Sequence, residues 1–210
     1  MSQNRSSAVM QQRSEPHDSL DDFPTPPWAT RAFCEWLSGK QALDGLVVRE
    51  PAANRGHMVK PLAEYFNRVE ASDVHDYGAG YPVADYLWGP TPAPVDWTIT
   101  NPPFRLAEQF IQRALQSSRH GAAVIVRSAF LEGKARFENL FDLCPPDYVL
   151  QFVERAPMCK GKIDPNVSSA TAYSWIVWFS SSETRADTRL RWIAPCRKRL
   201  ERVSDYEQAA

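Results

Sequence analysis

The run Trp97-Thr98-Ile99-Thr100-Asn101-Pro102-Pro103-Phe104 holds the residue types with the most chemical use in this 210-residue chain. An apolar stretch from Val95 to Thr100 stops at Asn-Pro-Pro-Phe, and a helical pattern begins at Arg105. Each proline fixes its own φ and pushes the residue before it away from helix, so a buried strand should end in a stiff loop. Neither proline has an N–H, which leaves the loop carbonyls and the Asn101 side chain free to serve a ligand. An exocyclic amino group on a base is a poor nucleophile, because its lone pair is delocalised into the ring. The Asn101 side-chain oxygen and the Pro102 carbonyl can each take one of its N–H groups and leave the lone pair aimed at an electrophile. Phe104 can stack on the ring and set its plane. The rate gain would come from orientation and preorganised dipoles, with no strong base required. The same four residues also read as a proline-stiffened strand end that packs a phenylalanine.

The elements around this loop suggest what the electrophile is. Leu46–Glu50 is a short strand, 51–57 a small-residue loop and Met58–Phe66 a helical pattern, together a nucleotide-binding type of unit. Glu50 at the strand end would repel a pyrophosphate but suits a ligand with an ammonium group. That points to S-adenosylmethionine over a dinucleotide. Gly56 lets the backbone approach a ligand, and Asn54 stands where a second glycine is expected, being a residue that tolerates left-handed backbone. Arg68–Asp73 reads as the second strand. Asp73 lies 23 residues after Glu50, the spacing of a ribose-binding carboxylate. Val74 can cover the adenine face. Asp85, at the end of the strand-like Pro82–Leu87, either accepts from the cofactor's adenine amino group or caps a helix.

Thr25, followed by Pro26 and Pro27, suits an N-cap for the amphipathic helix ending at Gly39; alternatively Thr25 and the helix N-terminus meet a ligand carboxylate. A helix is predicted over Arg105–Ser118, a two-faced buried strand over Gly121–Val126 and another helix around Phe130–Phe141. Further strands are predicted over Tyr148–Val153, Ala170–Phe179 and Leu190–Ala194. The long loop Glu154–Ser169 carries Arg155, Lys160 and Lys162, either solvated surface or phosphate contacts.

Formal net charge is −1, so any nucleic-acid contact must rest on a local basic patch. Four widely scattered cysteines form no CxxC pair or His-spaced cluster, which argues against zinc and for a reducing compartment. No long apolar stretch or signal segment is present, and a cytoplasmic setting is expected. Residues 1–20 read as a disordered leader, 21–195 as one domain and 196–210 as a basic, flexible tail.

The order Phe23-Pro24-Thr25-Pro26, Glu50-Pro51 with Gly56, Asp73, Asp85, then Asn101-Pro102-Pro103-Phe104 resembles the amino-group DNA methyltransferases. It is most similar to the small phage and mobile-element adenine-N6 type, with cofactor motifs before the catalytic motif as in the gamma arrangement. The resemblance covers roughly Asp21 to Phe179. It implies an α/β, Rossmann-like methyltransferase fold with a seven-stranded, mostly parallel sheet and an antiparallel strand near the C-terminus. It implies S-adenosylmethionine as methyl donor and a flipped adenine of DNA as acceptor. By position, Glu50 and Gly56 would hold the methionine part, helped by Thr25, with Pro26 and Pro51 in the same cofactor site. Asp73 would bind the ribose hydroxyls and Asp85 the adenine, whose face Val74 would cover. Asn101, Pro102, Pro103 and Phe104 would hold the target base. Sequence selectivity would be low, come from the Glu154–Ser169 loop, or come from a partner or second subunit. RNA base methyltransferases share Asn-Pro-Pro-Phe. A non-catalytic nucleic-acid-binding relative, its cofactor affinity lost through Asn54, is the third reading.

Overall fold

The computed structural model describes residues 20–180 and 187–206; the leader expected over 1–20 lies outside them but for Leu20. In chain order the elements are α1 (Pro27–Ser38), β1 (Val47–Glu50), α2 (Val59–Leu62), β2 (Arg68–Ala71), β3 (Val95–Thr100) and α3 (Ala107–Gln116). They continue with β4 (Ser118–Arg127), α4 (Lys134–Arg136), β5 (Tyr148–Phe152), β6 (Tyr173–Phe179), β7 (Arg189–Ile193) and α5 (Arg197–Leu200). The strands form one seven-stranded sheet in the order β2-β1-β3-β4-β6-β5-β7. Only β6 runs against the rest; β7, the last strand, lies parallel to β5 at the edge.

Both faces of the central strands β3, β4 and β6 are buried, which the unbroken apolar runs of β4 and β6 require. Because side chains alternate across a strand, the odd positions Trp97, Ile99, Ala123, Ile125, Trp175 and Val177 join α1 in one core. The even positions Val124, Val126, Ile176 and Trp178 join α3 in the other. On the α1 side Phe33 stacks on Trp175 at 4.4 Å, and the Trp175 indole donates to the Ala29 carbonyl at 3.2 Å. Gly121 exists for the same packing: a Cβ there would sit 2.7 Å from the Trp97 ring.

Several expected elements take other forms. Pro82–Leu87 makes no strand, only a single bridge between Asp73 and Val83, because Pro82 has no N–H to donate and Asp85 folds back on Leu87 N. The helix expected around Phe130–Phe141 is broken at Gly133 (φ 115°) into a 3-10 turn, the short α4 and a π turn. Of the helical pattern Met58–Phe66 only α2 is regular helix. Thr25 is not a cap: Pro26 occupies that position, and no side-chain cap bond forms.

The segment expected to be a flexible basic tail is docked through residue 206. Buried Arg31 of α1 donates to the Leu200 carbonyl at 2.8 Å, to Asp205 at 2.7 and 2.8 Å and to Glu64 at 2.9 Å. The Arg199 and Arg202 side chains pair with Glu35 and Glu64, so much of the tail's charge is already matched. Among the described residues no helix is long and apolar enough to cross a membrane. Removing one partner of a buried ion network leaves the others uncompensated, so Arg31→Ala should cost about 3–5 kcal/mol in urea unfolding and expose the C-terminal segment to protease. A loss under about 1 kcal/mol would show that this cluster does not anchor the C-terminus.

Candidate active site

The chain leaves β1 for β2 on one side and returns to place β3 on the other. The C-terminal ends of β1 and β3 therefore meet at a topological switch point, where open α/β sheets bind ligands. Glu50 ends β1 and Thr100 ends β3, and the Thr100 hydroxyl donates to Glu50 Oε1 at 2.6 Å. Ala52 N donates to the same oxygen at 2.9 Å. Glu50 is fully buried, and its Oε2 has no hydrogen-bond partner among the described residues; neither has the buried Thr25 Oγ1. Burial pushes the Glu50 carboxyl up to about 8, against the pull of its bonds to Thr100 and Ala52.

A cavity of about 150 Å³ opens above these strand ends. It is lined by Thr25, Pro51, Asn54, Asp73, Val74, Asp85, Asn101 and Pro103 of the residues singled out from sequence. Asp73 takes Asn54 N on Oδ2 at 2.8 Å and His75 N on Oδ1 at 3.0 Å, which fixes the carboxylate while each oxygen keeps room for another donor. Glu50, Pro26 and Gly56 do not line the cavity; Glu50 is buried behind Pro51 and Ala52, the next residues in the chain, which do. Gly56 (φ 83°) instead lies under Tyr81, whose hydroxyl occupies the place of a Cβ. Asn54 takes the glycine-like conformation (φ 49°), and its amide is tied to Asp22 at 2.7 Å.

Asn101 also borders a second, smaller cavity of about 30 Å³, with Pro102, Phe104, Val126, Arg127, Met158, Tyr173, Asp21 and Phe23. Asn101, Asp21 and Phe23 border both cavities and so form the partition between them. Asn101 Nδ2 donates to the Phe23 carbonyl at 2.9 Å, which leaves Oδ1 as an acceptor. Phe104 N is held by Asp21 Oδ2 at 2.5 Å. Arg155, Lys160 and Lys162 line neither cavity, and Lys162 is paired with Asp164 at 2.9 Å on the exposed loop. Their loop reaches the site through Met158 and through Gly161 N, which donates to the Asp22 carbonyl at 2.8 Å.

Sequence reading missed Tyr77, Tyr86, His57 and Phe110 in the larger cavity, and Arg127, Met158 and Tyr173 in the smaller. The aromatics carried no positional signal. Arg127 did: it is the charged residue ending the apolar run of β4 at the same sheet edge as Glu50 and Asn101.

No protein-family model matches the chain, and no curated protein matches it. Solved structures do. A type I restriction-modification methyltransferase subunit from Streptococcus thermophilus superposes with a TM-score of 0.61 at 12% identity, over 81% of this chain and 47% of that one. A putative RNA methyltransferase from Pyrococcus horikoshii gives 0.58 at 18% identity, over 82% of this chain and 95% of that one. Magnesium protoporphyrin IX methyltransferase from Synechocystis, with bound S-adenosylmethionine, gives 0.51 at 14% identity, over 74% and 79%. The chain thus has the Rossmann-like α/β fold of methyltransferases, and it spans about half the length of the restriction-modification subunit.

A carboxyl whose folded pKa is raised binds its proton more tightly folded than unfolded. Its contribution to stability is complete below the ordinary 4.5 and is lost as pH rises through about 8. Glu50→Gln should remove that decline, so the variant gains on the native protein from pH 5 to pH 9 in thermal unfolding without ligand. Parallel pH profiles would show that Glu50 is not protonated in the folded state.

Proposed function

We propose that this chain transfers a methyl group from S-adenosylmethionine to the exocyclic N6 amino group of a flipped adenine in DNA, as an enzyme of the small phage and mobile-element adenine-N6 type. The observation that carries the reading is the place of Asn101: its amide stands in the partition between two cavities, with Nδ2 spent on Phe23 and Oδ1 left to accept. The larger cavity suits the cofactor. Thr25 Oγ1, a buried orphan oxygen that lines it, and Glu50 Oε2, a second orphan oxygen buried next to the lining Pro51 and Ala52, fit a ligand bearing an ammonium group, and Asp73 and Asp85 offer acceptors for hydroxyl and amino groups. When bound, S-adenosylmethionine supplies a methyl carbon on a positively charged sulfur.

The chain's own part is orientation. The Asn101 Oδ1 and Pro102 carbonyl each take one N6 hydrogen and turn the amino lone pair toward the larger cavity. No backbone donor among the described residues is bonded to the Pro102 carbonyl. Phe104, tied by its N–H to Asp21, presents its ring to the base. Such preorganised acceptors act where charge develops, in a site that excludes water. The 5.0 Å contact between Phe104 and the Arg127 guanidinium marks that ring as a stacking surface. Arg155, Lys160 and Lys162 would meet phosphates beyond the base pocket.

The test is methyl transfer from radiolabelled S-adenosylmethionine to unmethylated duplex DNA, with total RNA alongside and products digested to nucleosides. Label is expected in N6-methyladenine of DNA. Label in RNA alone would move the substrate to RNA, and none in either would reject methyl transfer. Asn101→Ala should cut turnover by about 10²–10³ while cofactor affinity stays near native; surviving turnover would remove Asn101 from its role. Reversing the charges of Lys160 and Lys162 should weaken DNA binding and flatten its salt dependence, whereas an unchanged slope would return that loop to plain solvated surface.

A further inference from the structure

The smaller cavity is narrow, and the Arg127 guanidinium stands over the Phe104 ring on which a base would stack, so a base can stack there only if Arg127 moves. Most of its polar walls are tethered. Asn101 is bonded to Phe23 and Asp21 to Phe104, while Val126 sits in the sheet core. Arg127 is different. Its side chain is half-buried and has neither a hydrogen bond nor an ion pair among the described residues; its contact is the Phe104 ring, 5.0 Å from the guanidinium carbon. Asp21, the acid lining this cavity, spends one oxygen on Phe104 N and makes no ion pair with Arg127.

A guanidinium on an aromatic face occupies the place a stacked base needs. We infer that Arg127 is the movable wall of the base pocket and a phosphate ligand: it holds the base's place on Phe104, and when a base enters it swings out to pair with a backbone phosphate of the strand that carries the base. The inference rests on the reading of this cavity as the base site. It is physically economical, because the guanidinium trades a cation–π contact for a charge-assisted, bidentate one. It also gives an acidic neighbourhood, Asp21 and Asp22, a positive charge where a polyanion must approach.

The test is fluorescence anisotropy of a short labelled duplex carrying one adenine opposite an abasic site, which lowers the cost of extrusion. S-adenosylhomocysteine is present so that nothing turns over. Each phosphate contact contributes about 0.9 to the slope of log K against log salt. Arg127→Gln should reduce the slope by about that amount and weaken binding at low salt about tenfold, and Arg127→Lys should restore the slope. A native slope in Arg127→Gln overturns the phosphate contact, and so does a slope lost equally in Arg127→Lys. Anisotropy needs no chemistry, so the two claims separate. If the native protein methylates nothing while the Arg127→Gln slope falls, the methyl-transfer reading fails and the contact stands.

Discussion

A carboxylate with no exposure to water, held on one oxygen and bare on the other, is costly unless something completes it. Glu50 is in that position. Thr100 and Ala52 fix Oε1, and the Thr100 bond joins the last residue of β1's strand end to the residue that precedes Asn101. The C-terminal ends of β1 and β3 are thereby tied together through one side chain. The sheet order makes the bond possible, since β1 and β3 become neighbours only because the chain reverses there. Burial raises the carboxyl to about 8, so near neutral pH without a ligand the group stays protonated and no bare charge is buried.

The second constraint comes from the segment Asp21-Asp22-Phe23. It touches three loops at the same sheet edge: Asp22 holds Asn54 and Arg55 after β1, Asp21 holds Phe104 N after β3, and the Asp22 carbonyl takes Gly161 N after β5. Phe23's carbonyl fixes the Asn101 amide orientation. This strap makes the partition between the cavities. Asn54 fits the same logic: its left-handed backbone is glycine-like, and its side chain belongs to the strap. The Glu154–Ser169 loop meets the site through an apolar methionine and a backbone amide, and its lysines line neither cavity.

Much of the fold was legible because its signals are local. The apolar runs of β3, β4 and β6 have one explanation, a sheet buried on both faces, and acids at the ends of β1 and β2 mark the ligand edge. What failed was what tertiary contacts decide. Pro82–Leu87 has strand-like composition, yet Pro82 and an Asx turn at Asp85 leave a single bridge. The basic segment after Cys196 reads as solvated tail, and only Arg31, distant in sequence and buried in α1, shows why it docks. Gly56 has the conformation expected of a cofactor-loop glycine, but its open side is filled by Tyr81, a contact no spacing rule encodes. Arg127 was readable as the charged end of an apolar strand, but its meaning comes from the Phe104 ring beneath it.

The most direct test of the account is calorimetric titration with S-adenosylmethionine at pH 7 in two buffers of different ionisation enthalpy, for the native protein and for Glu50→Gln. A protonated Glu50 that must ionise to meet the ligand's ammonium group predicts release of nearly one proton on binding to the native protein. Glu50→Gln should bind more weakly and release none. Binding with no proton released, or no binding at all, would contradict the assignment of Glu50 and with it the cofactor site on which the proposed reaction is built.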